Sequence, residues 1–179
     1  DRLVNKLATD EYWDPRMPDL SKIEVPVLSA GNWGGHGLHL RGNIEGYLRA
    51  GTEQKWLEVH GREHWAEFYT DYGVGLQKRF FGHFLKDEDT GWEDQPPVQL
   101  QVRYPGEEFE ERHEHEWPLA RTNWKRFYLD CSDLTLSSEP LNRAGSVTYD
   151  PFGDGVTFLS EPLADETEMI ADATARYAD

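Results

Sequence analysis

The chain has 179 residues with 18 basic and 34 acidic side chains, which gives a formal net charge of −16. This charge argues against binding to nucleic acid or to an anionic membrane, because both partners attract a surplus of Lys and Arg. Its 23 aromatic residues, 7 Trp, 8 Tyr and 8 Phe, favour a folded, soluble protein over a disordered acidic tail. The single cysteine, Cys131, excludes an internal disulfide and leaves the compartment open, with the cytoplasm slightly favoured.

Both ends of the sequence suggest that it is an excerpt of a longer chain. Leu3, Val4 and Leu7 form one apolar stripe, which is typical of the end of a helix rather than of its beginning. No initiator Met precedes them, and residues 169–179 end without a capping pattern. We therefore expect further sequence on both sides.

The first half of the chain alternates between short apolar strands and helical periods. A turn-rich connector over residues 10–19 comes first, because its prolines oppose a regular helix. Two strands and two helices are then predicted in alternation, at residues 23–30, 38–50, 55–60 and 72–86. The buried face of the second helix is predicted to consist of five residues: Leu76, Phe80, Phe81, Phe84 and Leu85.

This alternation is typical of crossover units in a parallel α/β sheet. Such sheets bind their ligands at the carboxyl ends of the strands. The loops at residues 31–37 and 61–65 follow the two predicted strands, so we expect both loops at that edge.

The second half of the chain has short strands and no predicted helix. Period-two or β-branched runs predict four strands, at residues 98–102, 126–129, 147–149 and 156–159. We therefore predict two incomplete domains. Residues 1–95 form the C-terminal part of an α/β domain, and residues 96–179 form the first part of an all-β sandwich.

Several of these segments together resemble one family of hydrolases. The order of short motifs is similar to that in the CocE/NonD hydrolases, the relatives of cocaine esterase and X-Pro dipeptidyl-peptidase. The motifs lie at residues 22–33, 55–64, 79–86, 96–119, 128–130 and 156–163. The resemblance implies the last strands of an α/β-hydrolase domain followed by the beginning of a jelly roll.

The family uses a Ser-His-Asp triad, in which Ser attacks an acyl carbonyl, His takes its proton and Asp orients the His. The family's catalytic histidine lies in a Gly-x-x-x-His setting. The segment Gly61-Arg62-Glu63-His64 resembles that setting with one residue fewer between Gly and His, so the resemblance implies that His64 is the catalytic base. Trp65 and Tyr69 are candidates for lining the acyl pocket beside it. The resemblance implies a small ester, amide or short peptide as substrate, with no metal and no cofactor.

The other two members of the triad are missing from the expected places. Gly35 stands where the family usually has the acid, two residues after Trp33. The acid then comes from a strand end outside this sequence, or Glu45 reaches back, or the triad is degenerate. We expect the first, because Glu45 lies about 12 Å of helix rise beyond the loop. No serine lies in a Gly-x-Ser-x-Gly elbow, Ser29 being the nearest imitation, so we expect this chain alone to be inactive.

Other motifs have simpler interpretations. The pairs His36–His39 and His60–His64 suggest zinc, but the order His-Glu-x-x-His is absent. The acidic run at residues 107–116 lacks the spacing of a calcium loop and is interpreted as an exposed strand edge or loop. Glu63 is interpreted as an exposed charge, and the glycines at residues 31–37 as a tight turn rather than a phosphate cradle. An aromatic group is interpreted mainly as core and inter-domain packing: Trp56, Trp65, Phe68, Tyr69 and Tyr72.

A second function remains open at this stage. The missing acid at Gly35 also fits a non-catalytic binding protein, whose β-sandwich recognises carbohydrate or a protein partner. In that case the hydrolase part is a relic. The sequence leaves the oligomeric state open.

Overall fold

The computed structural model describes residues 14–35 and 39–169. Their contacts divide the chain into two compact units, Asp1–Ala120 and Arg121–Asp179. The apolar stripe predicted at Leu3, Val4 and Leu7 lies outside the described residues. No helix in the described ranges combines the length and the apolar character needed to cross a bilayer.

The first unit is built on a four-stranded sheet in the order β1-β2-β3-β4. Its strands are β1 Val27–Asn32, β2 Lys55–His60, β3 Val98–Tyr104 and β4 Glu108–Glu114. The first three are parallel, and β4 pairs antiparallel with β3 at the edge. The strand predicted at residues 55–60 is confirmed, and β3 joins it directly in the same sheet. The proposed domain boundary after residue 95 stays a prediction.

Strand β1 begins four residues later than predicted because of Pro26. Proline has no N–H to donate to a neighbouring strand, so regular pairing begins only at the next residue. There the Val27 N–H donates to the Gln54 carbonyl at 2.9 Å. The strand then continues through Gly31 to Asn32 instead of ending before the glycine.

Three helices accompany the sheet: α1 Leu40–Arg49, α2 His64–Phe68 and α3 Asp71–Lys86. α1 and α3 confirm the two predicted helices, whereas the short α2 replaces the end of a predicted loop. Ser29 on β1 donates its hydroxyl to the Asn43 carbonyl on α1 at 2.8 Å. Leu28, the next residue along β1, packs with α3 instead. Because neighbouring strand residues face opposite sides, α1 and α3 cover opposite faces of the sheet.

The core on the α3 side is an aromatic cluster around Trp92, which is 1% exposed. Its ring contacts Trp56, Phe80 and Phe84 at centroid distances of 5.3, 5.2 and 6.4 Å. Of the predicted helix face, Leu76 and Phe80 are buried and Phe84 is half-buried.

The prediction was wrong for two residues of that face, Phe81 and Leu85, which are 49% and 75% exposed. Each follows a residue of the buried stripe by one position. One position rotates a side chain by about 100° around the helix axis. The stripe that α3 presents to the sheet is therefore narrower than the apolar pattern suggested.

The second unit contains one small antiparallel pair, β5 Tyr128–Asp130 and β6 Thr135–Ser137. Of the strands predicted there, the one at residues 126–129 is found two positions later. The one at 147–149 is wrong, since those residues form no strand. The one at 156–159 is reduced to a single bridge between Leu159 and Thr135. The coarse prediction holds: part of an α/β sheet is followed by a segment whose regular elements are β.

Candidate functional site

Strands β1 and β2 end together at one edge of the sheet. Asn32, the last residue of β1, lies opposite His60, the last residue of β2. The loops after both strands therefore lie at the same rim, as predicted. An open cavity of about 1280 Å³ occupies this rim, and its lining includes Gly34 and Gly61 from the two loops.

Gln101 on β3 ties the two rim loops to the sheet. Its side-chain oxygen accepts the Gly61 N–H at 2.9 Å, and its carbonyl oxygen accepts the indole N–H of Trp33 at 2.7 Å. A Cβ at Gly61 would lie 1.9 Å from the ring of Phe109 on β4. The turn before His64 is therefore fixed by a hydrogen bond to its backbone and by the close packing of Gly61 against Phe109.

His64 is the first residue of α2 and follows the end of β2 by four positions. Its backbone therefore lies at the rim, whereas its side chain lies outside what the structure describes. Its catalytic role stays a prediction. Glu63, just before it, is exposed as interpreted from the sequence.

Trp65 and Tyr69 both line a second cavity of about 420 Å³, between the sheet and helices α2 and α3. They are 74% and 70% exposed, and Phe68 between them is 52% exposed. These three aromatic residues therefore do not lie in a core, and Trp56 alone of the described group joins the Trp92 cluster. Their packing between domains stays a prediction. The proposed acyl pocket of Trp65 and Tyr69 remains a prediction.

The two positions considered for the acid of the triad are Gly35 and Glu45. Gly35 ends a short 3₁₀ turn, Trp33–Gly35, directly after β1. Glu45 is half-buried on α1. Neither position supplies a carboxylate that the described contacts connect to the rim.

Sequence reasoning missed a buried polar network beneath the rim. His60 Nδ1 lies 2.9 Å from Glu58 Oε2, and these side chains are only 8% and 3% exposed. The Tyr72 hydroxyl at the start of α3 donates to Glu58 Oε1 at 3.1 Å. Gln99 Nε2 donates to that hydroxyl at 3.0 Å, and Gln95 Nε2 donates to Gln99 Oε1 at 2.7 Å. The network joins β2, β3 and α3.

Burial dominates the acid-base properties of this network. It raises the pKa of Glu58, against the opposing effect of the hydrogen bonds from His60 and Tyr72. Burial, followed by the negative charge of Glu58, also raises the pKa of Tyr72. Tyr72 therefore keeps its proton and acts as a donor at physiological pH. A sequence signal for the network existed: Glu58 and His60 stand at alternate positions of a strand that is otherwise apolar after Lys55, hence on one face.

Three buried polar atoms near the carboxyl ends of β1 and β2 have no hydrogen-bond partner among the described residues: Asn32 Nδ2, His60 Nε2 and Glu67 Oε2. Asn32 and Glu67 line the rim cavity, and His60 and Glu67 line the second cavity. Buried polar groups are normally satisfied, so unpartnered ones that face a cavity point to a ligand or to water.

The described side chains provide no set of ligands for the zinc and calcium sites that were considered from the sequence. Among the side chains that the structure describes, no three from His, Cys, Asp or Glu come together in a way that could hold an ion, and the side chain of His64 is not one of them. His36 of the first predicted pair lies outside the described residues. The acidic run forms the exposed edge strand β4, where Glu111 pairs with His113 at 2.9 Å. Its interpretation as a charged strand edge is confirmed.

Comparisons with known proteins agree with this architecture. Residues 90–175 match the family model of the X-Pro dipeptidyl-peptidase C-terminal non-catalytic domain. Two solved structures of a CocE/NonD family hydrolase from Staphylococcus aureus match with TM-scores of 0.68 and 0.66 and sequence identities of 35% and 36%. They cover 77% and 73% of this chain, which spans 25% and 23% of their length. No curated protein matches. Over about three quarters of its length the chain is therefore similar to a CocE/NonD family hydrolase, as its motifs indicated.

Proposed function

We propose that this chain is part of a serine hydrolase that cleaves an ester or amide bond through an acyl-enzyme. His64 acts as the general base toward the serine and then as the general acid toward the leaving group. The observation that supports this role is the position of His64, at the start of α2 on the rim where β1 and β2 end. Ligands of open α/β sheets bind at that rim.

The remaining catalytic groups are proposed to come from sequence outside these 179 residues. They are the serine, its oxyanion donors and the orienting acid, for which Glu45 and a degenerate triad are the alternatives. Trp65 and Tyr69 would line the acyl pocket. The residues after about 96 would form a jelly roll that supports the active site. An X-Pro dipeptide is one candidate substrate within this class.

A fluorophosphonate probe on the full-length protein containing this chain tests the proposal. We expect the full-length protein to be labelled, and the 179-residue chain alone to remain unlabelled. His64→Ala should abolish labelling, because without the base the serine hydroxyl is a weak nucleophile. His113→Ala on the exposed edge strand is the matched control and should keep full labelling. Circular dichroism must show that both variants are folded.

Labelling retained in a folded His64→Ala variant would show that another residue is the base. A second function, a non-catalytic binding protein, is favoured by one observation: the family model matching residues 90–175 describes a non-catalytic domain. Absence of labelling in a well-folded full-length protein would favour that function.

A further inference from the structure

The cavity between the sheet and helices α2 and α3 contains two buried hydrogen-bonding atoms without partners. Glu67 is 5% exposed, and its Oε2 has no hydrogen bond. His60 is 6% exposed, and its Nε2 has none either. Both residues line the same cavity of about 420 Å³. Leaving such buried groups without a hydrogen bond is unfavourable, so an occupant that satisfies them is favoured.

Glu67 Oε2 is an acceptor because it is a carboxylate oxygen, and the role of His60 Nε2 follows from the proton of Glu58. The Tyr72 hydroxyl accepts from Gln99 and therefore directs its own proton to Glu58. With Glu58 ionised, its second oxygen Oε2 accepts from His60, so that His60 Nδ1 carries the proton. In a neutral imidazole the other nitrogen is consequently an acceptor. The cavity thus presents two acceptors, and the complementary ligand brings donors.

The walls of the cavity add aromatic surface and negative charge. Phe68, Tyr69 and Tyr72 contribute rings, and Glu58 contributes a second carboxyl group besides Glu67. Aromatic faces attract cations, and they do so more strongly when the cation is desolvated. A metal ion lacks a set of three ligands in the described ranges, whereas an ammonium group needs only one or two acceptors and gains from the rings.

The geometry points to a binding site for a primary ammonium group carrying an apolar substituent. The ammonium donates to Glu67 Oε2 and His60 Nε2, and the substituent packs against the aromatic rings of α2 and α3. The site shares Tyr69 with the proposed acyl pocket. Binding of an ammonium group there requires no bond cleavage, so the inference goes beyond the proposed hydrolase function and can be tested without catalysis.

Calorimetric titration of the 179-residue chain with 2-phenylethylamine and with 2-phenylethanol tests the site. The two probes share shape and ring, but at neutral pH only the amine carries a charged donor. We expect the amine to bind at least about tenfold more tightly, the size of one charge-assisted hydrogen bond. Equal affinities, or no binding of either probe, would overturn the inference.

Two substitutions locate the site. Glu67→Gln removes the charge while keeping the shape, and we expect amine affinity to fall by about tenfold or more. Glu53→Gln makes the same change on an exposed residue that lines neither cavity, and should leave affinity unchanged. Nuclear Overhauser effects between the amine's ring and Tyr69 in the unsubstituted chain provide a readout that needs no variant. Their absence from a bound complex would place the ligand elsewhere and refute the site.

Discussion

The two units of the chain are stabilised in different ways. In the first unit, five large side chains are less than 2% exposed: Trp92, Leu57, Leu100, Val59 and Val98. Among residues 121–169, Asp130 is the one buried residue, while Phe152 and Leu159 are 98% and 68% exposed. Apolar burial therefore supports the sheet, whereas local polar contacts support the hairpin of β5 and β6. The buried polar network beneath the rim lies in the unit whose apolar core can hold it rigidly.

The largest expected effect comes from removing the centre of the aromatic cluster. Trp92→Ala should destabilise the chain by about 3–5 kcal/mol, because it leaves a cavity among Trp56, Phe80 and Phe84. Urea denaturation followed by circular dichroism measures the change. Should Trp92→Ala fail to fold, Trp92→Phe keeps most of the packing and removes an indole N–H that has no partner. It should cost less than the alanine variant.

The control for this prediction is Phe152→Ala in the second unit. Its side chain is 98% exposed, so the unfolding midpoint should stay within the error of the unsubstituted chain. Similar losses of stability in Trp92→Ala and Phe152→Ala would contradict the difference between the two units, because they would show that the second unit also depends on apolar burial.

The same difference explains which parts of the fold could be predicted from sequence. Helix α3 was predictable because it buries a periodic set of side chains against the sheet, and strand β2 because it is a short, mostly apolar run of strand length that is buried as a whole. The strand expected at residues 147–149 has β-forming residues but no partner strand to pair with. Strand propensity reflects packing and pairing more than an intrinsic backbone preference. The residue pattern alone therefore predicted a strand that does not form.

The candidate site, like the fold, could be predicted from the sequence only in part. The rim and the position of His64 follow from the order of strands and loops, which is local information. The partner of Glu58 was not predictable, because Tyr72 lies fourteen positions away and reaches it only once α3 packs on the sheet. Helix α2 was missed because five residues are too few to show a helical period.

Two glycines of α3 test whether the rim end of the first unit is as tightly packed as its core. A Cβ at Gly73 would lie 2.1 Å from the Glu67 carbonyl oxygen at the end of α2, so Gly73→Ala must push the two helices apart. We expect a loss of about 1–3 kcal/mol. A Cβ at Gly75 meets no atom within 4 Å, so Gly75→Ala should stabilise α3 by about 0.5–1 kcal/mol.

Urea midpoints of the two alanine variants give the comparison directly, because the substitution and the helix are the same. Midpoints that move in opposite directions support close packing of α2 on α3. If both midpoints rise, α2 moves away from Gly73 without a loss of stability. The rim end of the first unit is then loosely packed, like the second unit and unlike the aromatic core.

The smallest expected effect lies in the second unit and depends on pH. Asp130 accepts hydrogen bonds from the Ser132 hydroxyl and N–H, and from Arg143 at 2.9 Å. These contacts, led by the Ser132 hydroxyl, lower the pKa of Asp130 from 3.8 to about 2. A lowered pKa means that the folded state favours the carboxylate. Its stabilising contribution is therefore complete above the unfolded pKa near 4 and is lost as the pH falls toward 2.

Asp130→Asn should consequently weaken the hairpin at pH 7 and make little difference at pH 2. The amide resonance of Leu136, whose N–H donates to the Leu159 carbonyl at 2.8 Å, reports on this unit during urea titration. Asp154→Asn, an exposed aspartate of the same unit, should leave the midpoint unchanged at both pH values. An Asp130→Asn effect of equal size at pH 7 and pH 2 would mean that the carboxylate's charge is not what supports the hairpin. The contrast with the apolar core of the first unit would then lose its physical basis.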